Sequence, residues 1–502
     1  MSNNKIIERI QAIASTEPDR IAYDNGHEVL TYLELDRYSD AIASHLKGIY
    51  PNKSGIVVYG GQEKEMIISF LSCTKAGHYY IPVDSHTPKE RVQMIVEESQ
   101  AAGVISIAEW PFTSKEMIDL KLLRSIMLEE QPKLSDCYVT GDDVYYTIFT
   151  SGTTGKPKGV QITYNNLISF TDWMLSDFEL KEGQRFLSQA PFSFDLSVMD
   201  LYPALLSKGT LVPMEKETVD NFSLLFKALA DMTLNVWVST PSLVEICLLN
   251  PEFSSEYLPT LENFQFCGEE LPRLVAMKLL ERFPKAAIYN TYGPTEATVA
   301  ITNVKITKDI LDTYDRLPLG KVKSDTALVI KTDEEQETSD EPVGEIIIVG
   351  PGVSIGYYNN PEKTQEAFTT IDGKPAYKTG DAGLVKDGYL FYKGRLDFQI
   401  KWHGYRIELG DIDHHLSMIP GVRNACVVPK YNKYHKVQQL IAYVVWEQEE
   451  MTAQDLSKKL KAELTKSVMD YMVPQRFKFV ETLPLSANGK VDRKALISEV
   501  NS

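Results

Sequence analysis

The sequence predicts an α/β protein with two parts: a large N-terminal body of parallel-type sheets with helices plus a β-rich subdomain, and a small α+β C-terminal domain. Three observations predict it. Short runs rich in Val, Ile and Tyr alternate with longer helix-like stretches through roughly the first 300 residues, a pattern that favours a largely parallel sheet. From about Asp315 the pattern turns to hairpin-like β segments. At 502 residues, 43% of them hydrophobic, the chain exceeds the length at which a single core stops growing, so more than one domain is expected.

In chain order, Ser54-Gly-Ile-Val-Val-Tyr59 reads as a strand, Glu63 to Ala76 as a helix, and Val144-Tyr-Tyr-Thr-Ile-Phe149 as a further strand. Ala327-Leu-Val-Ile330 and Gly344-Glu-Ile-Ile-Ile-Val349 flank the acidic stretch Asp333 to Glu341, which reads as a solvated hairpin loop. Tyr389-Leu-Phe-Tyr392 follows as a β segment. The domain boundary is placed near Arg395 to Phe398, giving domains 1–396 and 397–502. Beyond it, Ala425-Cys-Val-Val428, Leu440-Ile-Ala-Tyr-Val-Val445 and Phe477-Lys-Phe-Val480 read as strands. Thr452-Ala-Gln-Asp455 resembles a capping box, and Leu456, Leu460, Leu464 and Val468 recur every four residues, predicting a helix between the last two strands.

Composition excludes several function classes. The formal net charge of −17 repels nucleic acid and anionic membranes, and no stretch concentrates Lys and Arg enough to reverse that. Cys73, Cys137, Cys247, Cys267 and Cys426 are scattered, odd in number and free of any C-x-x-C pairing, so neither a disulfide framework nor a zinc site is suggested. No apolar run approaches the length that spans a bilayer. The expectation is a soluble protein of the reducing cytoplasm.

The most informative segment is Tyr146-Thr-Ile-Phe-Thr-Ser-Gly-Thr-Thr-Gly-Lys-Pro-Lys-Gly159, an apolar strand running into a loop of Gly, Thr, Ser and Lys. Glycines let backbone N–H groups approach an anion, hydroxyls add donors, and Lys156 and Lys158 supply charge. The same composition suits a polar turn. The loop is not a Walker A sequence, because Pro157 stands five residues after Gly152 where that pattern needs glycine.

Thr150-Ser-Gly-Thr-Thr-Gly-Lys-Pro-Lys-Gly159 resembles the signature loop of the adenylate-forming superfamily of acyl-CoA synthetases, luciferases and peptide-synthetase adenylation domains. Five further segments resemble that family in its order: Lys75-Ala-Gly-His-Tyr-Tyr-Ile-Pro-Val-Asp84, Asn290-Thr-Tyr-Gly-Pro-Thr-Glu296, Tyr377-Lys-Thr-Gly-Asp381, Gly394-Arg-Leu-Asp-Phe-Gln-Ile-Lys401 and Asn488-Gly-Lys490. The resemblance implies ATP-dependent adenylation of a carboxylate followed by acyl transfer to a thiol. A carboxylate attacking the α-phosphorus of ATP brings two anions together, so the barrier falls through positioning and through cations that neutralise the developing charge.

The resemblance assigns the catalytic cation to Lys490, whose other reading is an exposed lysine after an Asn-Gly turn. It assigns ATP to Thr150, Ser151, Gly152, Thr153, Thr154, Lys156, Asn290, Thr291, Tyr292, Gly293, Pro294, Thr295, Asp381, Tyr392, Lys393, Gly394 and Arg395, together with Lys490. Tyr292 offers a flat face for the base, and Asp381 a two-oxygen acceptor for the ribose hydroxyls. Glu296 is the expected Mg²⁺ ligand, an oxygen donor beside triphosphate suiting that hard cation. Asp397 resembles the hinge about which the small domain, mobile on this reading, rotates between the two half-reactions. Lys490 then leaves the site, and the Lys401-Trp-His-Gly404 face replaces it.

Substrate residues follow from the same resemblance. The aspartate of Phe194-Asp-Leu-Ser197 pairs with the α-ammonium in amino-acid-activating members, so Asp195 points to an amino acid; a helix-capping role is its alternative. Cys267 and Val299 are expected to line a small side-chain pocket, with Lys490 reaching the carboxylate. As residue types alone, a free cysteine is more often a small buried hydrophobe. The pocket resembles that of ligases that load D-alanine onto the phosphopantetheine thiol of a separate carrier protein for teichoic acid D-alanylation. The alternatives are an adenylating enzyme for another small amino acid or an acyl-CoA synthetase. Tyr164, where many relatives have histidine, and Asp470 depart from the family pattern.

Overall fold

The computed structural model describes residues 4–502 apart from 114–116, 132, 135, 153–154, 333–340, 403, 433–435, 448–450 and 486–490. It divides into two compact units. The first comprises Met1–Ser85, Ser99–Ile148 and Gly159–Gly394; the second comprises His86–Glu98, Phe149–Lys158 and Arg395–Ser502.

The body of the first unit is α/β, as the alternation predicts. One sheet has nine strands, in the spatial order Lys321–Val322, Thr302–Lys305, Ala287–Tyr292, Asn263–Phe266, Val236–Ser239, Arg185–Ser188, Thr210–Pro213, Ile21–Asp24 and Val29–Thr31. Its six central strands are parallel, with antiparallel strands at both edges. A second sheet orders Ile118–Asp119, Gly103–Ser106, Gly55–Gly60, Tyr79–Asp84, Val144–Thr150 and Lys158–Thr163. All six residues of Gly55–Gly60 are buried, as expected of a parallel strand covered on both faces. A third, antiparallel sheet holds Ala327–Lys331 and Gly344–Val349 in register, Leu328 opposite Ile348. Of the acidic stretch between them, residues 333–340 lie outside the described residues, while Glu341 pairs with Lys386 (2.7 Å).

In the second unit, the hairpin Gln399–Trp402 and Tyr405–Glu408 leads into the helix Leu409–Ser417. Val422–Tyr431 pairs antiparallel with Val437–Trp446, and Arg476–Phe479 adds to the latter in parallel. The helix Ala453–Leu464 starts where the capping pattern predicts, with the Thr452 side chain accepting the Asp455 N–H. The Asp455 carboxylate accepts the Thr452 hydroxyl (2.7 Å). Leu456, Leu460 and Leu464 are buried in one apolar cluster. Val468 joins that cluster from beyond the helix end, so the four-residue spacing overruns the helix.

Burial of the helix Lys64–Lys75 carries a charge into the first unit's interior. Lys75 Nζ donates to Asp36 Oδ1 (2.6 Å), to the Asp36 carbonyl (3.0 Å) and to Asp40 Oδ1 (2.8 Å), while Lys133 donates to Asp36 Oδ2 (2.9 Å). Burial works against ionising Asp36, but the Lys75 and Lys133 ammoniums outweigh it and hold the carboxyl below its usual range. A depressed folded pKa stabilises the fold above the unfolded value of about 3.9, and that contribution is lost as pH falls through the lower folded value. Asp36→Asn is therefore expected to lose about 2 kcal/mol at pH 7 and to flatten the stability profile below about pH 4. Urea midpoints from pH 3 to pH 7 measure this, and parallel acid limbs for the two proteins would exclude it.

Candidate active site

The strand Ala287–Tyr292 is buried along its whole length and ends at a loop that folds back on it. Ile301 N–H donates to the Tyr292 carbonyl (2.8 Å). The loop turns so tightly that a Cβ on Gly293 would lie 2.5 Å from Ala300 Cα, which explains glycine there. Thr298 (φ 59°) and Val299 (φ 68°) both sit in the left-handed region, a costly conformation for β-branched residues that marks a position fixed by its surroundings. Thr298 Oγ1 donates to the Gly352 carbonyl (2.7 Å), one bond that fixes it.

Polar groups of this strand face different partners. Asn290 donates from Nδ2 to the Pro318 carbonyl (2.8 Å), while its Oδ1 is buried without a partner among the described residues, an acceptor that a ligand amine would satisfy. Thr291 Oγ1 donates to the Phe266 carbonyl (2.8 Å). Tyr292 donates to Asp381 Oδ2 (2.6 Å), and burial, with the Asp381 charge behind it, pushes the phenol far above its usual range. Asp381 is 2% exposed, and its backbone N–H donates to Thr379 Oγ1 (3.0 Å), which fixes the main chain that carries the carboxylate. Pro294 precedes the short 3-10 turn Thr295–Ala297, in which Glu296 is fully buried. Glu296 Oε1 accepts the Tyr357 hydroxyl (2.8 Å).

The pocket candidates divide between this loop and two neighbours. Cys267 is buried at the end of the adjacent strand, and its thiol donates to the Val299 carbonyl at 3.6 Å, so Cys267 and Val299 come together. Asp195 is 8% exposed in a turn, its carbonyl accepting the Val198 N–H (3.0 Å). The following helix, Ser197–Leu206, has Leu196 as its N-cap and no side-chain cap bond. Burial first, then Tyr80 and the Asp195 charge, push the Tyr146 phenol far above its usual range.

Tyr392, Lys393 and Gly394 continue the strand Tyr389–Arg395, and the Arg316 guanidinium lies 5.5 Å from the Tyr392 ring centroid. In the second unit, Arg395 grips Asp397 in a two-pronged pair, with Nε 2.8 Å from Oδ1. Burial raises the Asp397 carboxyl, but Arg395 overrides this and holds it below the usual range. Thr150 donates to the Lys158 carbonyl (3.5 Å), and Gly152 approaches the Lys156 carbonyl so closely that a Cβ would lie 2.1 Å from its oxygen. Lys156 pairs with Glu98 (2.6 Å). Ser151 Oγ donates to the Arg406 carbonyl (2.9 Å). Thr153, Thr154, His403 and Lys490 lie outside the described residues.

Several neighbours were not singled out from the sequence. Tyr357 is remote in sequence from Glu296, the carboxylate it bonds, and nothing in its local pattern marks it; Tyr146 opens the loop segment, but its coupling to Asp195 was not marked. Asp200 is fully buried on the helix after Asp195, bonded by Ser188 Oγ (3.1 Å), and burial drives its carboxyl well above the usual range. Its signal was an acidic residue inside the apolar run Leu196 to Leu206. Tyr164, a departure from the family pattern, accepts the Lys5 N–H (2.8 Å) and packs on Tyr145, a structural role in the first unit. Tyr471, next to Asp470, stacks on Tyr405 at 3.7 Å.

Known proteins resemble this chain along nearly its whole length. The model of the AMP-binding enzyme family matches residues 10–358, and that of the AMP-binding enzyme C-terminal domain matches residues 411–490. The chain is 48% identical over 506 residues to the D-alanine--D-alanyl carrier protein ligase of Lacticaseibacillus casei (strain BL23), covering 99% of each chain. It is 49% identical over 502 residues to the protein of the same name from Lactiplantibacillus plantarum, again covering 99% of each. Among solved structures, the Vibrio cholerae adenylation domain AlmE in complex with glycyl-adenosine-5'-phosphate matches with a TM-score of 0.83 at 22% identity, covering 100% of this chain and 98% of that one. Motifs, fold and full-length similarity together establish that the chain belongs to the AMP-binding enzyme family and, within it, to the family of D-alanine--D-alanyl carrier protein ligases.

Proposed function

We propose that the chain activates D-alanine with ATP and passes it to a separate carrier protein. The carboxylate oxygen of D-alanine attacks the α-phosphorus and pyrophosphate leaves, giving D-alanyl-AMP; the phosphopantetheine thiolate of the carrier then attacks the acyl carbon and AMP leaves. The observation that carries this reading is the set of groups at one strand end: the unpartnered Asn290 Oδ1, the Tyr292–Asp381 pair and the Cys267–Val299 contact.

On this reading Asn290 accepts the adenine amino group, Asp381 takes the ribose hydroxyls with Arg395 assisting, and the loop from Thr150 through Lys156 takes the phosphates. The division of labour assigns 1–396 to ATP and amino acid and 397–502 to the catalytic lysine, with the hinge at Asp397. Glu296 suits Mg²⁺: it is a buried carboxylate, and a single protein oxygen with the remaining positions left to substrate and water is the sparse ligation that cation accepts. Bound there, the ion would neutralise phosphate charge. No described helix is long and apolar enough to cross a membrane. The reading assigns the enzyme to the cytoplasm, acting on a carrier protein, without nucleic acid or membrane insertion.

Amino-acid-dependent ATP–pyrophosphate exchange tests the reading, with D-alanine, L-alanine, glycine and D-serine at equal concentration. A strong D-alanine preference is expected. Exchange with another amino acid would discard the substrate, and product only with acetate or fatty acid plus coenzyme A would discard amino acid activation. Cys267→Ala removes a wall of the small pocket and is expected to erode the D- over L-alanine preference about tenfold in kcat/KM, the scale at which one small group discriminates. An unchanged preference would remove Cys267 from the pocket.

A further inference from the structure

In the second unit the loop Phe149–Lys158 is held by the segment 405–414 through groups that an anion would otherwise use. Ser151 Oγ donates to the Arg406 carbonyl (2.9 Å) and accepts the Glu408 N–H (3.3 Å), so both hydroxyl functions are engaged. Lys158 Nζ lies 3.6 Å from Glu408 Oε1, with both side chains about nine-tenths buried. The same oxygen accepts Gln399 Nε2 (2.5 Å), which fixes the carboxylate in place. Gly155, at φ 79°, is so close to His414 that a Cβ would lie 2.2 Å from its ring. Arg91 and Asp411 add a buried pair at 3.4 Å behind this contact. Arg493 also feels the Glu408 charge: burial lowers its guanidinium to about 10 while Glu408 works the other way.

A phosphate-binding loop offers hydroxyls and a lysine ammonium, and here a carboxylate and backbone groups of the chain itself occupy both. We infer that Glu408 is a positioning residue whose carboxylate takes the place of pyrophosphate on Lys158 while the Arg406 carbonyl takes its place on Ser151, so that the loop holds either the polyphosphate or the strand Tyr405–Glu408, never both. The inference rests on the adenylation reading above. Its physical basis is neutralisation: a largely desolvated ammonium requires an anion, and releasing pyrophosphate from Lys158 is easier when a tethered carboxylate replaces it. Binding of the strand thereby drains the first product and commits the enzyme to the transfer step, whereas pyrophosphate opposes transfer by displacing Glu408.

Glu408→Gln keeps the size and hydrogen-bonding capacity of the side chain but removes the charge. Transfer of D-alanine from preformed D-alanyl-AMP to the carrier is expected to become about fivefold more sensitive to inorganic pyrophosphate, with the ratio of transfer to pyrophosphate exchange falling by a similar factor. Lys158 without its carboxylate would hold pyrophosphate more tightly. A purely structural role would lower both half-reactions together and leave the pyrophosphate inhibition constant unchanged, and that result overturns the inference. Should the variant fail to fold, hydrogen exchange of the intact wild-type protein decides: inorganic pyrophosphate is expected to speed exchange of the Glu408 amide by severalfold. No change at that amide in a preparation that binds pyrophosphate overturns the inference. Wild-type protein that shows no amino-acid-dependent exchange would instead refute the adenylation reading, and this inference with it.

Discussion

Lys490→Ala is expected to lower D-alanine-dependent ATP–pyrophosphate exchange by about 10²–10³-fold, the loss typical of removing one donor from developing transition-state charge. Transfer from preformed D-alanyl-AMP should fall far less, because the lysine is assigned to the first half-reaction alone. The argument is electrostatic. The attacking carboxylate and the α-phosphate are both anionic, and the whole chain carries a formal charge of −17, so local cations must carry the neutralisation. Single-turnover measurement of each half-reaction separates the two. Equal loss in both would refute the division of labour and make Lys490 a residue of general binding.

Asp195→Ala is expected to raise the KM for D-alanine by about 100-fold while leaving ATP binding within about threefold, as measured by equilibrium titration with a non-hydrolysable nucleotide. Truncating one partner of a desolvated charge pair costs about 2–5 kcal/mol, much of it from leaving the ammonium unpaired. The position of Asp195 supports a large effect. It is 8% exposed, it precedes a helix that Leu196 caps without a side-chain bond, and its charge reaches the buried Tyr146. An unchanged KM for D-alanine would remove its role as the ammonium partner. Collapse of both ligand affinities with a lowered melting temperature would make it a structural residue.

The alternation of apolar runs and helix-like stretches made the fold class legible, because parallel strands covered on both faces must be continuously apolar, as Gly55–Gly60 is. The spacing Leu456, Leu460, Leu464 and the cap at Thr452 marked one helix for a local reason. Its end was less legible, since burial of Val468 continues the pattern after the helix stops. Side chains that pair with distant partners were not legible. Tyr357 meets Glu296 across 61 positions, and nothing near Tyr357 in the chain encodes that bond. The buried Lys75 was quoted as part of a motif, while its pairing with Asp36 and Asp40 follows only from helix packing.

By itself the sequence determined what depends on local order: the α/β class, the glycine- and hydroxyl-rich loop after an apolar strand, and the residue types arrayed for adenylation chemistry. Tertiary structure alone decided which of those groups meet. It set the Cys267 thiol on the Val299 carbonyl, forced Thr298 and Val299 into the left-handed region, and engaged Ser151 with Arg406 and Glu408 some 255 positions away. The physical reason is that backbone propensity and periodicity act over a few residues, whereas burial of polar groups obliges each to find a partner anywhere the fold brings one within about 3 Å.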